Sequence, residues 1–268
     1  MHIEADVNYI IDSGEEPILY VDWPEEEHNA RPPNYETRCC RIHDGRPLAD
    51  EFTLPTHGFT FIKHRSAVED FYDAKSVSNI YDSEVANLIK TKMHASRALV
   101  FDHTFRTAND AVALKNNTRS PVKAAHNDYT ERSARQRLRD FLPENEAEVQ
   151  LNRRFAIVQT WRPIRHPVQS EPFAICDGRT IPQQGFVTLY RRYRHRTAET
   201  YHISYNPDHL WYYFPNMERT EVVLIKNYDT LIDGTARYSL HTAFEDPTSP
   251  VDAIPRESIE TRALVFFD

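Results

Sequence analysis

The stretch "RRFAIVQTWRPI", residues 153–164, marks the point at which the chain changes to strand-like patterning. It is rich in β-branched and aromatic residues and stops at a proline, as short strands commonly do. Seven similar runs follow, separated by Pro, Gly, Asn or Asp: "EPFAICD" (171–177), "GFVTLYRRY" (185–193), "ETYHISYN" (199–206), "HLWYYFP" (209–215), "EVVLIKNYD" (221–229), "ARYSLHTAF" (236–244) and "SIETRALVFF" (258–267). Eight such strands predict a β-sandwich or jelly roll rather than a parallel sheet with crossover helices.

Two helices are predicted before this region. Residues 82–95 repeat apolar side chains at helical spacing, and Asp82 or Ser83 would cap the helix. Residues 130–142 predict a second helix, with Phe141 among the side chains that face inward. We therefore expect a mainly β fold with helices packed outside it.

The remaining segments are less regular. The first ~50 residues are rich in Pro and charge, with one short strand candidate at 17–23. Residues 50–64 suggest a second strand pair, and residues 97–105 suggest a strand. Residues 106–125 have no clear period and predict a mobile loop.

The size and composition are those of an ordinary globular protein. The chain has 268 residues, of which 40% are hydrophobic and 27% charged, enough to bury one large core. We expect a single domain over residues 1–268. Its core would occupy about 97–267, with residues 1–50 as an extension packed on that core.

The charge and the cysteines narrow the function classes. A net charge of -8 argues against a nucleic-acid or an anionic-membrane partner. The chain has no run of ~18 apolar residues, and the first residues do not resemble a secretion signal. The cysteines Cys39, Cys40 and Cys176 are too few for a disulfide framework and have the wrong spacing for a zinc knuckle. We expect reduced thiols and a cytoplasmic location.

The segment "AAHNDYTERS" (124–133) contains His126 and Asp128 separated by one residue. Two imidazoles and one carboxylate on one face of an ion are the ligands of non-haem Fe(II) enzymes. The same spacing occurs at His2 and Glu4, at the chain terminus, and chance alone predicts about two such matches. An ordinary turn before a helix is therefore the alternative reading of this segment. A distal ligand is available in His241, at the end of an apolar strand.

A possible anion site follows His241 in the chain. Arg256 and Ser258 occupy alternate positions, so on a strand they point to the same side and can bind a carboxylate together. The alternative is that Arg256 pairs with a protein acid such as Glu257 or Asp246. Arg262, on the same face, is a second candidate for the anchor.

Aromatic residues supply the candidates for substrate contact. Trp211 and Tyr213 lie in "HLWYYFPNM" (209–217), and Trp161 lies in the stretch quoted first. They could line a pocket for a hydrophobic substrate. Core packing is the ordinary explanation of aromatic residues on a strand.

Taken in chain order, these segments resemble the Fe(II)- and 2-oxoglutarate-dependent dioxygenases, in particular the AsaB-like hydroxylase/desaturases and the relatives of the cephamycin methoxylation component. The resemblance covers roughly residues 50–267. It rests on the strings "HGFTFIKHRSAVEDFYD", "VFDHTFR", "HNDYTERSARQR", "FAIVQTWRPI", "PFAICD", "WYYFPNM", "IKNYD", "HTAFEDP" and "PRESIETRALVF".

The resemblance implies a double-stranded β-helix, the cupin-like form of the jelly roll. It implies Fe(II) bound by His126, Asp128 and His241, and 2-oxoglutarate anchored by Arg256 with Ser258, or by Arg262. O2 would be the oxidant, and a ferryl-oxo intermediate would oxidise a small natural product by hydroxylation, desaturation, or ring or peroxide formation. The alternatives are an inactive jelly-roll binding protein and a zinc hydrolase or isomerase with the same ligands. The oligomeric state is open, with a homodimer as one option.

Overall fold

A computed structural model describes all 268 residues of the chain. Fourteen strands make up most of its regular structure. They are β1 (His2–Ile10), β2 (Ile18–Tyr20), β3 (Tyr35–Asp44), β4 (Phe59–Lys63), β5 (Arg97–Thr107), β6 (His126–Asn127), β7 (Phe155–Pro163), β8 (Phe173–Cys176), β9 (Phe186–Arg192), β10 (Thr197–Ile203), β11 (Trp211–Tyr213), β12 (Glu221–Asp229), β13 (His241–Ala243) and β14 (Glu257–Phe266).

Six α-helices accompany the strands: α1 (Leu54–His57), α2 (Ala74–Ser76), α3 (Asp82–Met93), α4 (Asp110–Asn116), α5 (Glu131–Phe141) and α6 (Glu144–Leu151). A π-helical turn, Val77–Tyr81, joins α2 to α3. None of the helices is both long enough and apolar enough to cross a membrane.

The strands form two sheets that face each other. The nine-stranded sheet has the order β1-β3-β11-β8-β13-β6-β10-β9-β2, and the five-stranded sheet has the order β4-β12-β7-β14-β5. All pairs in the smaller sheet are antiparallel, and in the larger sheet only β11 with β3 and β2 with β9 are parallel. Two sheets of mostly antiparallel strands, with neighbours that are distant in sequence, form a jelly roll. The predicted fold class is confirmed.

Between the sheets lies a core rich in aromatic side chains. Trp161 on β7 stacks on Phe173 of β8, with ring centroids 4.9 Å apart. At one end of the five-stranded sheet, α5 covers the inner face through Ala134 and Leu138, and α6 through Ala147. Apolar side chains thus fill part of the space between the sheets, and the rest of the inner faces carries polar side chains.

The outer faces are also covered. Helix α3 packs Val85 and Ile89 against the outside of the five-stranded sheet. The hairpin of β1 and β3 forms one border of the nine-stranded sheet and packs over the sheet's outer face, where Val7 and Tyr9 contribute to a second core. The first 44 residues thus supply three strands of the larger sheet, a contribution that their Pro-rich sequence hides.

All eight strands predicted from residue 153 onward are present, and so are the helices predicted at 82–95 and 130–142. Residues 50–64 form α1 and a single strand, not a strand pair, because Thr53 and Pro55 start a short helix there. Residues 106–125 contain α4, which Asn109 caps. Phe141 was predicted to face inward, but it is 42% exposed and packs on Phe101 at the surface.

Candidate metal centre

The larger sheet brings two histidines together on its inner face. His241 of β13 is directly opposite His126 of β6, and their ring centroids are 4.3 Å apart. The chain turns immediately after β6, and this turn directs Asp128 back toward both rings. Asp128 Oδ1 lies 3.5 Å from His126 Nε2 and 3.8 Å from His241 Nε2. One donor atom from each residue lies within 4.8 Å of the other two.

The protonation of the two rings suits a cation. His126 Nδ1 lies 2.8 Å from the carbonyl oxygen of Ala124, and His241 Nδ1 lies 3.4 Å from that of Ser239. A carbonyl only accepts, so each Nδ1 is the donor of its pair, and each Nε2 is the nitrogen that faces Asp128. Burial, and His126 next, lower the pKa of His241 to about 4, which keeps this ring neutral at physiological pH.

Three possible ligand atoms therefore converge, two Nε2 nitrogens and one carboxylate oxygen. Two imidazoles with one carboxylate are a donor set that suits Fe(II). The residues present fit the metal that the sequence implies.

Asp128 is oriented from behind by the five-stranded sheet. Its Oδ2 accepts hydrogen bonds from Arg262 Nε at 2.8 Å and from Asn227 Nδ2 at 3.3 Å. Burial opposes ionisation of Asp128, but the charge of Arg262 and the neighbouring histidines outweigh it and hold the pKa of this carboxyl well below its usual value. Oδ1 is thereby left free for an ion.

Arg262 is fully engaged by protein groups. Besides Asp128, its guanidinium contacts Glu260 Oε2 at 2.8 Å, Asp102 Oδ2 at 2.8 Å and Thr104 Oγ1 at 3.0 Å. Glu260 in turn pairs with Arg106 at 2.5 Å. This ladder of alternating charge gives Arg262 the role of a support for Asp128 and leaves it no donor for a cosubstrate.

Arg256 and Ser258 are different in this respect. Arg256 is 3% exposed, donates to the carbonyl of Glu171, and has no partner for its Nε. The hydroxyl of Ser258 is fully buried and also has no partner. The expected alternative, an ion pair between Arg256 and Glu257, is not formed, because Glu257 binds Tyr72 and Arg165.

Burial lowers the pKa of Arg256 to about 10, as expected for a guanidinium that lacks a full set of counter-charges. Its Cζ lies 5.4 Å from the ring centroid of Trp161. Trp161 stacks on Phe173, which lies against His241 with ring centroids 5.3 Å apart. The unsatisfied cation and the metal centre are thus linked by one layer of aromatic rings.

The structure does not bring the other two aromatic candidates to this site. Trp211 and Tyr213 point away from the space between the sheets, into the core beneath the β1–β3 hairpin. Trp211 Nε1 donates to Tyr9 Oη at 2.7 Å. The strand alternates, so it is the residue between them, Tyr212, that faces the inner core.

Two polar residues near the centre have no motif that would reveal them in the sequence. Asn227, at a bulge in β12, contacts both Asp128 and Gln159 Oε1. His202 on β10 is directly opposite His126 and stacks on it with centroids 5.7 Å apart. The one available signal was a polar residue inside an apolar strand run, a feature too common to identify either of them.

A cleft of about 1270 Å³ leads to the centre from the surface. It lies between β5, α5 and the hairpin of β9 and β10, and it reaches Asp128 and Arg262. Of the three candidate ligands Asp128 lines this cleft, whereas His126 and His241 are buried behind it.

Comparison with known proteins agrees with the geometry. The family described as "Oxidoreductase/YMDC permease-like domain" matches residues 7–266. The Fe(II)/2-oxoglutarate-dependent dioxygenase nvfI of Aspergillus novofumigatus is 33% identical over 87% of this chain and 84% of its own length. The hydroxylase/desaturase CTB9 of Cercospora beticola is 34% identical over 87% of this chain and 78% of its own.

Solved structures agree as well. The iron and alpha-ketoglutarate-dependent endoperoxidase NvfI superimposes with a TM-score of 0.88 at 30% identity, over 99% of this chain and 98% of its own. Among the relatives by sequence, the hydroxylase/desaturase asaB of Aspergillus flavus is 37% identical over a shorter part, 49% of this chain and 63% of its own length. The chain belongs to the Fe(II)/2-oxoglutarate-dependent dioxygenases, oxidoreductases that use Fe(II), 2-oxoglutarate and O2, and within them to the group of the fungal hydroxylase/desaturases of secondary metabolism.

Proposed function

We propose that His126, Asp128 and His241 bind the iron of this dioxygenase. The observation that carries the proposal is the convergence of two Nε2 nitrogens and one carboxylate oxygen, with both Nδ1 protons held by backbone carbonyls. When bound there, iron with 2-oxoglutarate and O2 supplies the oxidising chemistry. The chain's part is to orient those groups and to exclude water.

For the cosubstrate we propose Arg256 and Ser258. A dicarboxylate that reaches from the iron toward β14 would give Arg256 a counter-charge and Ser258 a hydrogen-bond acceptor. Arg256 Nε and the Ser258 hydroxyl both lack partners in a buried position, where an unmade hydrogen bond costs about 1–3 kcal/mol. Trp161 lies beside Arg256 and would limit the width of this end of the site.

The proposed substrate is a small natural product that enters by the cleft, and the whole chain, residues 1–268, would act as one catalytic domain. Of the possible outcomes, hydroxylation or desaturation at a C–H bond is the reaction named for the relatives CTB9 and asaB, and peroxide formation the one named for NvfI. A cytoplasmic location, and the absence of a nucleic-acid partner, remain predictions.

The test is the visible charge-transfer band expected when 2-oxoglutarate binds to the Fe(II) enzyme without oxygen. Wild type should develop the band, and Asp128→Ala should not. His2→Ala is the matched control, because His2 and Glu4 repeat the motif on an exposed strand and the variant should keep the full band. An undiminished band in Asp128→Ala would refute the ligand set. A protein that binds Zn(II) but gives no band with Fe(II) would favour a hydrolase.

A further inference from the structure

The cleft that leads to Asp128 has a charge balance opposite to that of the protein. The chain as a whole carries a net charge of -8. Eight arginines and five carboxylates line the cleft, a surplus of three cations. A concave surface with excess positive charge, next to a reaction centre, attracts and orients anions.

Four of these eight arginines are neutralised by protein acids. Arg262 and Arg106 belong to the ladder described above, and Arg132 and Arg137 pair with Glu199 and Asp140. Arg191 on β9 is half-buried in the cleft wall and has no ion pair, no side-chain hydrogen bond and no aromatic ring beneath it.

Strand register puts Arg191 on the same face as the metal centre. Arg191 is opposite Ala198, and Ala198, Thr200 and His202 alternate along one face of β10. His202 is in turn opposite His126. Arg191, His202 and His126 therefore share one face of the larger sheet.

His202 also has an unused polar atom. Its Nδ1 lies 3.2 Å from Tyr35 Oη, whereas its Nε2 is buried and has no partner. The imidazole is 1% exposed, so solvent does not satisfy this nitrogen. A buried ring nitrogen without a partner in the protein is a sign of a ligand that supplies one.

We propose that Arg191 and His202 form a binding site for a carboxylate of the substrate, so that this dioxygenase acts on an organic acid. The inference rests on the proposed function, because it assumes that the cleft admits the substrate to the iron. Arg191 binds the carboxylate through two N–H groups, and His202 supplies the remaining donor. A second molecule of 2-oxoglutarate offers the same chemistry, so the test must separate the two sources.

The experiment compares naphthalene-2-carboxylate with naphthalene-2-carboxamide, which have the same shape and differ in charge. Each probe is titrated by NMR into anaerobic enzyme loaded with Fe(II) and 2-oxoglutarate. Relaxation of the probe protons by the ferrous ion, relative to the Zn(II) enzyme, reports whether the probe lies near the centre. The variants are Arg191→Met and the control Arg194→Met, which removes an exposed arginine of the same hairpin that pairs with Glu25 outside the cleft.

We expect wild type and Arg194→Met to bind the acid at least ~10-fold more tightly than the amide, with iron-induced relaxation of the bound acid. Arg191→Met should reduce this preference to less than about twofold while the charge-transfer band of 2-oxoglutarate stays unchanged. Equal affinities in wild type, or a preference that survives in Arg191→Met, would overturn the inference. A weaker 2-oxoglutarate band in Arg191→Met would also overturn it, by assigning Arg191 to the cosubstrate. Absence of the band in wild type would instead contradict the proposed function.

Discussion

At the scale of single residues, Arg256 and Arg262 differ in what already surrounds them. Arg256 directly precedes β14 and Arg262 lies on it, six positions on, and the sequence gives no basis for choosing between them as the anchor. Arg262 is bound by Asp128, Glu260 and Asp102, and Arg256 lacks a carboxylate partner. Which arginine already has carboxylate partners depends on the folded chain, so the anchor could not be chosen from the sequence.

This difference predicts separable phenotypes. Arg256→Met should raise the KM for 2-oxoglutarate by ~10–100-fold, the loss expected from one or two charge-assisted hydrogen bonds, with little change in Fe(II) affinity. Arg262→Lys should do the reverse, because a single ammonium cannot hold Asp128 and Glu260 together. Fe(II) titration and steady-state kinetics of succinate release measure the two effects. The reverse pattern would make Arg262 the anchor.

His209 predicts an acid sensitivity that is independent of the metal centre. It stacks on Tyr9 with centroids 5.6 Å apart, and neither ring nitrogen has a partner. Burial lowers the pKa of His209 to about 4, against a smaller opposing effect of Asp208. In the unfolded chain His209 becomes protonated below pH ~6.5, whereas in the folded chain it becomes protonated only near pH 4. Stability is therefore lost as the pH falls through this window.

The contribution of His209 to this loss is on the order of 2 kcal/mol, reduced for its partial exposure. Urea unfolding of the metal-free protein at pH 7.5 and pH 5 measures it. His209→Phe keeps the stacked ring and should shrink the difference in the free energy of unfolding between the two pH values. If the difference is the same in the variant and in wild type, the acid sensitivity arises elsewhere.

At the scale of elements, α5 is the helix that fixes the turn of the metal centre. Its N-cap Thr130 follows Asp128 by two residues, and a capping box with Ser133 closes the first turn. The Thr130 hydroxyl also donates to the buried Glu199 Oε2 at 2.7 Å. A shift of the start of α5 would therefore also shift Asp128.

Replacing Thr130 by Ala should lower the free energy of unfolding by about 1–2 kcal/mol, the usual loss for a helix cap with some addition for the hydrogen bond that Glu199 loses. Thr130→Ser keeps the hydroxyl and should lose much less. Denaturant unfolding measures both, and Fe(II) titration should show weaker binding by the Ala variant alone. Equal stability of the two variants would show that the hydroxyl does not hold the helix start.

Elements with a strong local signal were predictable, and those that depend on distant partners were not. The eight strands after residue 153 were evident because each is apolar and bounded by turn residues. Strand β1 alternates Glu4, Ala5, Asp6 and Val7, but its pairing with β3 depends on residues 35–44, of which four are charged and which show no clear apolar alternation. Helix α3 has no cap at Asp82 or Ser83, because a π-helical turn runs into it from α2. Only tertiary contacts with Val77 and Tyr81 explain that continuity.

At the scale of the whole molecule, the proposed iron and cosubstrate sites belong to different sheets. His126 and His241 lie on the nine-stranded sheet, and Arg256 and Ser258 lie on the five-stranded sheet. A dicarboxylate bound to both would connect the two layers of the sandwich across its polar region. Ligand binding should then stabilise the entire fold.

Mn(II), which does not turn over, together with 2-oxoglutarate at ~100 times its Kd should therefore add about 2.7 kcal/mol of stability through the cosubstrate alone. In a chain of this size that corresponds to a rise in Tm of ~5–10 °C beyond that given by Mn(II). Differential scanning calorimetry compares the metal-free, Mn(II) and ternary forms. Asp128→Ala should show neither increment, and Arg256→Met only the first. An equal response of all three proteins would exclude the proposed bridge.

Strand β1 is an edge strand of the nine-stranded sheet, and its edge could in principle pair with a second copy of the chain. Its last part is covered where Asn8 accepts a backbone hydrogen bond from Ala125, but the backbone of residues 2–6 is free along one side. Exposed Glu4 and Asp6 flank that free side. If two copies aligned these borders, carboxylates of like charge would meet, which disfavours continuous pairing of the sheets. Two molecules that associate must therefore use another surface, and the acidic border acts as a safeguard against fibrous growth.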